Sequence, residues 1–283
     1  MRGSNVSEIE KARVYGGNHS PWVQAVLLGL HNKRIPYTLS SLPPLDTFSK
    51  VGVLMPAASF DGGPWQLESA DILGRMGYRE VSKEEVAMVQ RAWRGVAHRV
   101  DSVSLFWGGF ARAGDRSTNP IVRTVRNFFR SFVTLYFFLL INFSRRFIMA
   151  PDPDNFGDQF LELEEKLSRE GPFLEGEAPG TLDFLLFGIV QCHCSIYVPP
   201  VAAMQGDDRL DSLRAWIGRM QMHFADYPYL YSGVYFAPHS PPPAWSSFFD
   251  RFVFFLGAVS MWTLAPITIP LVALLAYRNL QTR

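Results

Sequence analysis

The run Arg13-Val14-Tyr15-Gly16-Gly17-Asn18-His19-Ser20-Pro21-Trp22 decides how the first part of the chain folds. Arg13 to Gly16 reads as a short strand. Ser20 reads as the start of a helix, because serine is a favoured N-cap and proline suits the first helical position. From Ser20 to His31 the apolar residues Val23, Val26, Leu27 and Leu30 share one helix face. Working outward, Ile35 to Leu42 reads as a second strand and Pro43 to Gly52 as a loop. Val53 to Phe60 and Gln66-Leu67 read as an antiparallel hairpin around the turn Asp61-Gly62-Gly63. A helix from Ser69 to Met76 closes a βαβ–ββα unit, with the domain boundary at Gly77 to Ser82.

Three points of this unit carry chemistry. An exposed hydroxyl at a helix start, Ser20, can donate to a thiolate, which the helix N-terminus also favours. The Met55-Pro56 step fixes a turn and leaves the backbone groups of Met55 for another peptide. Glu68 and Ser69, at a second helix start, offer an acceptor for an amine and a donor for a carboxylate. The three suit a small anionic thiol peptide.

At this spacing the set resembles the thioredoxin-like N-terminal domain of the glutathione transferases, over residues 12–80 and more loosely to 230. The Ser-Pro-aromatic turn is similar to that of the serine-type members. The resemblance implies that Ser20 stabilises the glutathione thiolate. It also implies that Met55, Pro56, Glu68 and Ser69 hold the peptide, with Lys50 towards the glycyl carboxylate. A serine forms no mixed disulfide, so thiol-transferase chemistry is disfavoured. Ser20 as a plain N-cap is the competing reading. Tyr15 is an alternative hydroxyl within a strand, and Asn18 and His19 flank the turn.

The second domain, 82–236, reads as all-helical. It opens on Ser82-Lys83-Glu84-Glu85, a capping-box pattern, followed by apolar residues at 3,4 spacing from Val86 to Phe110. That pattern predicts one long helix, with Trp93, Phe106 and Trp107 as walls for an apolar second substrate. The stretch Gly171 to Phe184 looks like the loop and buried-helix start of the transferase C-terminal domain. There Gly180 stands where the family carries Ser or Thr, and Thr181 is the candidate replacement cap. Cys192-His193-Cys194 offers three ligands at most in poor geometry, so buried structural cysteines are expected and no metal is.

Composition points to a membrane. Apolar residues make up 48%, and much of the phenylalanine lies in 128–148 and 248–277. From Phe252 to Tyr277 no residue is charged, a length that suits a spanning helix of about 20 apolar residues. The expectation is a single C-terminal transmembrane span over 248–278 behind a proline-rich linker, 237–247, with Pro266 and Pro270 kinking it or turning a hairpin. An uncharged run from Ser131 to Phe143, preceded by Arg123, Arg126 and Arg130, reads as a core helix or as one lying on a membrane surface. A net charge of +1 gives no field for nucleic acid. Two cysteines a residue apart, and no secretory signal in the polar N-terminus, suggest the cytoplasmic side. The sequence thus predicts a membrane-anchored, glutathione transferase-like enzyme conjugating glutathione to apolar electrophiles, with a homodimer as the family habit. A tail-anchored adaptor or glutathione sensor of the same fold is the alternative.

Overall fold

A computed structural model of the chain describes residues 9–52, 54–96, 111, 117–147, 152–237 and 246–281. Strand β1 (Ala12–Tyr15) leads through the Gly16–Ser20 loop into helix α1 (Pro21–Asn32). Strand β2 (Tyr37–Ser40) lies parallel to β1, as a right-handed βαβ connection requires. The expected loop 43–52 instead contains a short helix, α2 (Leu45–Val51). Proline supplies its start: Pro44 is the N-cap, and the Pro44 carbonyl accepts from Phe48 N at 2.8 Å. Gly52, at φ 68°, ends it in a conformation that glycine tolerates.

Strands β3 (Ala57–Phe60) and β4 (Gln66–Leu67) form the predicted hairpin, and the sheet order is β2-β1-β3-β4. Asp61 at φ 51° and Gly62 at φ 77° make the turn between them. Helix α3 (Ser69–Arg75) completes the βαβ–ββα unit. The architecture is therefore a small mixed sheet of the thioredoxin-like kind, followed by helices.

The capping box at Ser82 is present: Glu85 N donates to Ser82 Oγ at 3.2 Å, and Ser82 N donates to Glu85 Oε2 at 2.8 Å. Helix α4 (Lys83–Arg91) is much shorter than the 3,4 pattern predicted. It gives way to turns over 92–96, where Gly95 takes φ 93° and its Cα lies against Pro200 and Phe156, leaving no room for a side chain. The remainder of the expected helix, 97–110, lies outside the described residues. Helix α5 (Pro120–Phe147) follows, then α6 (Leu161–Glu170), α7 (Thr181–Ser195), α8 (Pro199–Gly206) and α9 (Asp211–His223).

Helix α7 is buried along its whole length and forms the centre of the core. Its N-cap is Gly180, not Thr181. A Cβ at 180 would collide with Glu175, and the Thr181 hydroxyl is already committed to Arg79 O at 2.7 Å. Asp183 in the first turn accepts from Gly180 N (3.1 Å), Leu174 N (2.9 Å) and Trp216 Nε1 (2.8 Å). Despite those three donors, burial pushes its carboxyl up to about 6.

The C-terminal apolar region is not one straight span. It forms α10 (Phe248–Thr263) and α11 (Ala265–Gln281), with an 85° bend between them. Leu264 leaves the helical region, at ψ 14°, two residues before Pro266. Pro266 has no N–H to donate to the carbonyl four residues back, so α10 cannot run on through it, and the proline falls in the first turn of α11, where no such donor is needed. Among the described residues no single helix is long and apolar enough to cross a membrane; two bent pairs pass that test as units, 248–271 and the pair 181–206 that includes the buried core helix α7.

Candidate functional site

Strand register brings the three sequence features to one edge of the sheet. Tyr15 pairs with Ala57, and Ala57 pairs with Leu67. One step beyond this row lie Gly16, Pro56 and Glu68, so the loop to Ser20, the Met55-Pro56 step and the start of α3 emerge at the same end. Helix α2, which carries Lys50 in its backbone, lies between β2 and β3 and therefore leads into this edge. Nothing further is described for the Lys50 side chain.

Ser20 is the N-cap of α1, yet its side chain makes no capping hydrogen bond. Backbone groups hold the turn instead: Ser20 N donates to Gly17 O, and Gln24 N donates to Ser20 O, both at 2.9 Å. The half-buried hydroxyl thus stands at a helix N-terminus with its donor uncommitted to the cap. Pro21 at the first helical position supplies φ and has no N–H to satisfy. Tyr15, the alternative hydroxyl, is wholly buried in the core.

The Met55-Pro56 peptide is cis. Met55 precedes β3, so its peptide groups fall outside the ladder, and its sulfur accepts from Gly17 N at 3.3 Å. That contact joins the first feature to the second. Gly16 packs so closely on Val23 that a side chain there would collide with it, and its φ of 150° suits glycine alone. Across the hairpin, Glu68 is exposed and holds φ 66°, a left-handed conformation that costs a β-carbon-bearing residue about 1–2 kcal/mol. Ser69, immediately after it, is buried at the first position of α3. Strain of this kind persists where the surroundings impose it, commonly at binding sites.

Helical-domain residues reach the same edge. Asn18 Nδ2 donates to the Tyr231 hydroxyl at 2.8 Å, and the His19 ring stacks on Tyr231 with centroids 5.3 Å apart. Gln24 Nε2 donates to Asn18 O at 2.6 Å while Tyr227 donates to Gln24 Oε1 at 2.7 Å. Gln191 fixes the far end, accepting from Tyr231 N and Ser232 N. None of Tyr227, Tyr231, Gln24 and Gln191 was singled out from the sequence; the tyrosine run Tyr227-Pro228-Tyr229-Leu230-Tyr231 was the available signal. Trp93 meets Trp22, two residues after Ser20 in the chain, with ring centroids 6.2 Å apart. Phe106 and Trp107, the other expected walls, lie outside the described residues.

The Cys192-His193-Cys194 run is buried within α7, as expected of structural cysteines. Burial pushes the Cys192 thiol up to about 12 and the His193 imidazole down to about 3. Among the described residues no cluster of three or more His, Cys, Asp or Glu could hold a metal ion.

No family model matches the chain, and no curated protein matches its sequence. Solved structures that resemble it include a glutathione S-transferase from Pseudomonas fluorescens, at 18% identity over 77% of this chain and 98% of that one, with a TM-score of 0.42. An epsilon-class glutathione S-transferase from the housefly Musca domestica has 18% identity over 95% of this chain and 99% of that one, with a TM-score of 0.41. A theta-class enzyme from Xanthomonas axonopodis pv. citri with glutathione bound has 13% identity over 82% of this chain and all of that one, again at 0.41. Identities of 13–18% with scores of 0.41–0.42 leave the functional reading to this chain's own geometry.

Proposed function

We propose that the chain binds glutathione at the Gly16–Pro56–Glu68 edge and conjugates it to apolar electrophiles. The observation that carries this is the register row, which gathers Ser20, Met55 and Glu68-Ser69 although 49 positions separate the first from the last (Ser20 to Ser69). Met55 presents backbone groups to the cysteinyl part of the peptide. Glu68 and Ser69 receive the amine and carboxylate of the γ-glutamyl end, and Lys50 serves the glycyl carboxylate. Ser20 donates to the sulfur. That hydrogen bond and the α1 terminus favour thiolate over thiol, and the proton leaves to solvent. The thiolate attacks the electrophilic carbon and its leaving group departs, while Trp22 and Trp93 offer the second substrate an apolar surface. On the same reading the two domains lie on the cytoplasmic side of a membrane and are held there by the apolar helices after Ser247.

Conjugation rate against pH for the wild type and Ser20→Ala tests the reading. A lost hydrogen bond to a charged sulfur predicts about a tenfold to hundredfold slower rate at neutral pH. The rate should recover as pH rises towards the thiol's own ionisation. Superimposable profiles would remove Ser20 from the mechanism. Glutathione binding without turnover in either protein, across several electrophiles, would make the chain a glutathione-binding adaptor.

A further inference from the structure

Helices α5 and α10 run side by side in the same direction. Arg123 Nε lies 3.2 Å from Asp250 Oδ1, Asn127 Nδ2 donates to that oxygen at 3.0 Å, and Arg130 stacks over the Phe254 ring at 4.9 Å. Further along, Gly257 lies against Ser131 and the Phe128 carbonyl, so closely that any side chain would collide with both. The buried residues of the pair are mixed: Asn127, Ser131, Thr134 and Leu135 on α5, and Asp250, Gly257 and Ala258 beside Val253, Phe254 and Met261 on α10. Many other large apolar residues face outward. Phe248, Phe252, Phe255 and Trp262 on α10 are each more than half exposed, and Val125 and Phe129 on α5 are 45% exposed.

A helix pair bathed in water rarely joins through buried polar groups while leaving a continuous row of large apolar side chains exposed. Helices in lipid gain nothing by hiding leucine or phenylalanine from hydrocarbon. They associate through small residues that allow close approach and through interhelical hydrogen bonds. The apolar side chains that this pair does bury, such as Leu135 and Phe254, stand apart from the main core around α7. Charge is biased as well: α5, α10 and α11 carry seven arginines, no lysine and a single acid, Asp250, in a chain whose net charge is only +1.

We infer that α5 and α10 together form the surface by which the protein seats in an anionic bilayer, α5 contributing its Ile121–Phe129 face beside the aromatic face of α10. At 1.5 Å per residue α10 spans about 24 Å, short of the roughly 30 Å of bilayer hydrocarbon. The chain then turns by 85° into α11, which touches α2 on the sheet domain. The unit therefore lies within one leaflet and does not cross, with arginines at headgroup level and Trp262 in the interfacial layer. The inference rests on the membrane placement proposed above and not on glutathione chemistry.

Flotation of the full-length protein with phosphatidylcholine vesicles, and with vesicles in which part of that lipid is replaced by phosphatidylglycerol, tests it. Binding should be about tenfold tighter to the anionic vesicles, and about tenfold weaker for Val125→Glu/Phe129→Glu with an unchanged circular dichroism spectrum. Acyl chains brominated near the headgroup should quench Trp262 more than those brominated near the methyl end, and Trp262→Phe should abolish that difference. No flotation on either vesicle overturns the membrane placement itself. Flotation undiminished by the α5 substitutions overturns the role of α5 alone. A solution dimer that those substitutions dissociate, with flotation intact, assigns the face to a second copy of the chain. Equal affinity for neutral vesicles overturns the anionic assignment, and stronger quenching at the methyl end overturns the single-leaflet geometry.

Discussion

The Asn18 side-chain amide donates to the Tyr231 hydroxyl at 2.8 Å, joining residues 213 positions apart. The loop that delivers Ser20 is thus set by the end of the helical domain as well as by its own turn. Tyr231→Phe removes the acceptor while keeping the ring that stacks on His19. A neutral hydrogen bond contributes about 0.5–1.5 kcal/mol, so a melting experiment should show a loss of that size. If the bond positions Ser20, turnover should fall while glutathione affinity stays near wild type, because in the proposed mode of binding the peptide is held across the sheet at Met55 and Glu68. Steady-state kinetics with varied glutathione separates the two; a rise in KM alone would place Tyr231 in peptide binding.

Glu68→Ala tests the other end of the site. Losing a charge-assisted bond to the amine of glutathione should weaken binding by about 1.5–3 kcal/mol, measured by calorimetry. Glu68 also holds a left-handed φ of 66°. Glu68→Gly relieves that strain, so it should raise the melting temperature relative to Glu68→Ala while binding glutathione equally poorly. Undiminished affinity in both would remove Glu68 from the ligand shell.

The sheet and the turns at its ends were legible because their signals are local. The Ser20-Pro21 start, the Asp61-Gly62-Gly63 turn and the Ser82–Glu85 capping box each involve a few neighbouring residues, and each appears as read. Helix α2 was missed because its start is a proline N-cap with no Ser, Thr, Asp or Asn signal. The long helix from Val86 was over-read. Periodicity continues past Arg91, but Gly95 must turn there to pass Pro200 and Phe156, a contact with distant residues that spacing cannot reveal. The terminal run looked like one span because hydropathy is blind to the break before Pro266. The tyrosine and glutamine contacts behind Ser20 link residues about 40 to 213 positions apart and are visible only in the fold.

Gly188 holds the site helix against the core. A methyl group there would collide with the Pro21 carbonyl and press on Ala25 N, which are backbone atoms of α1 with little freedom to yield. Gly188→Ala should therefore destabilise the protein by about 1–3 kcal/mol, against the usual gain from replacing glycine within a helix. Because Pro21 follows Ser20, the displaced backbone should also slow conjugation. A stabilised variant with unaltered kinetics would show that α1 and α7 are less tightly joined than this contact implies.

Two buried groups on α7 give stability opposite dependences on pH. His193 falls from 6.5 to about 3 in the fold, because burial opposes its charged form. Between those values the unfolded chain holds the proton and the native chain does not, so this contribution is lost as pH drops below 6.5. Asp183 rises from 3.8 to about 6, again through burial. Here the native chain holds the extra proton, so stability declines as pH climbs from 3.8 through 6. The wild-type profile should be muted over this range by cancellation. Asp183→Asn leaves His193 unopposed, and its stability should fall on acidification from about pH 6.5 to pH 4 by up to about 3 kcal/mol relative to wild type. His193→Leu leaves Asp183 unopposed and should gain stability over the same descent. Urea melts of the three proteins across that range check both signs at once. Parallel profiles would mean that the two groups titrate in the fold much as they do in the unfolded chain, with α7 open to water.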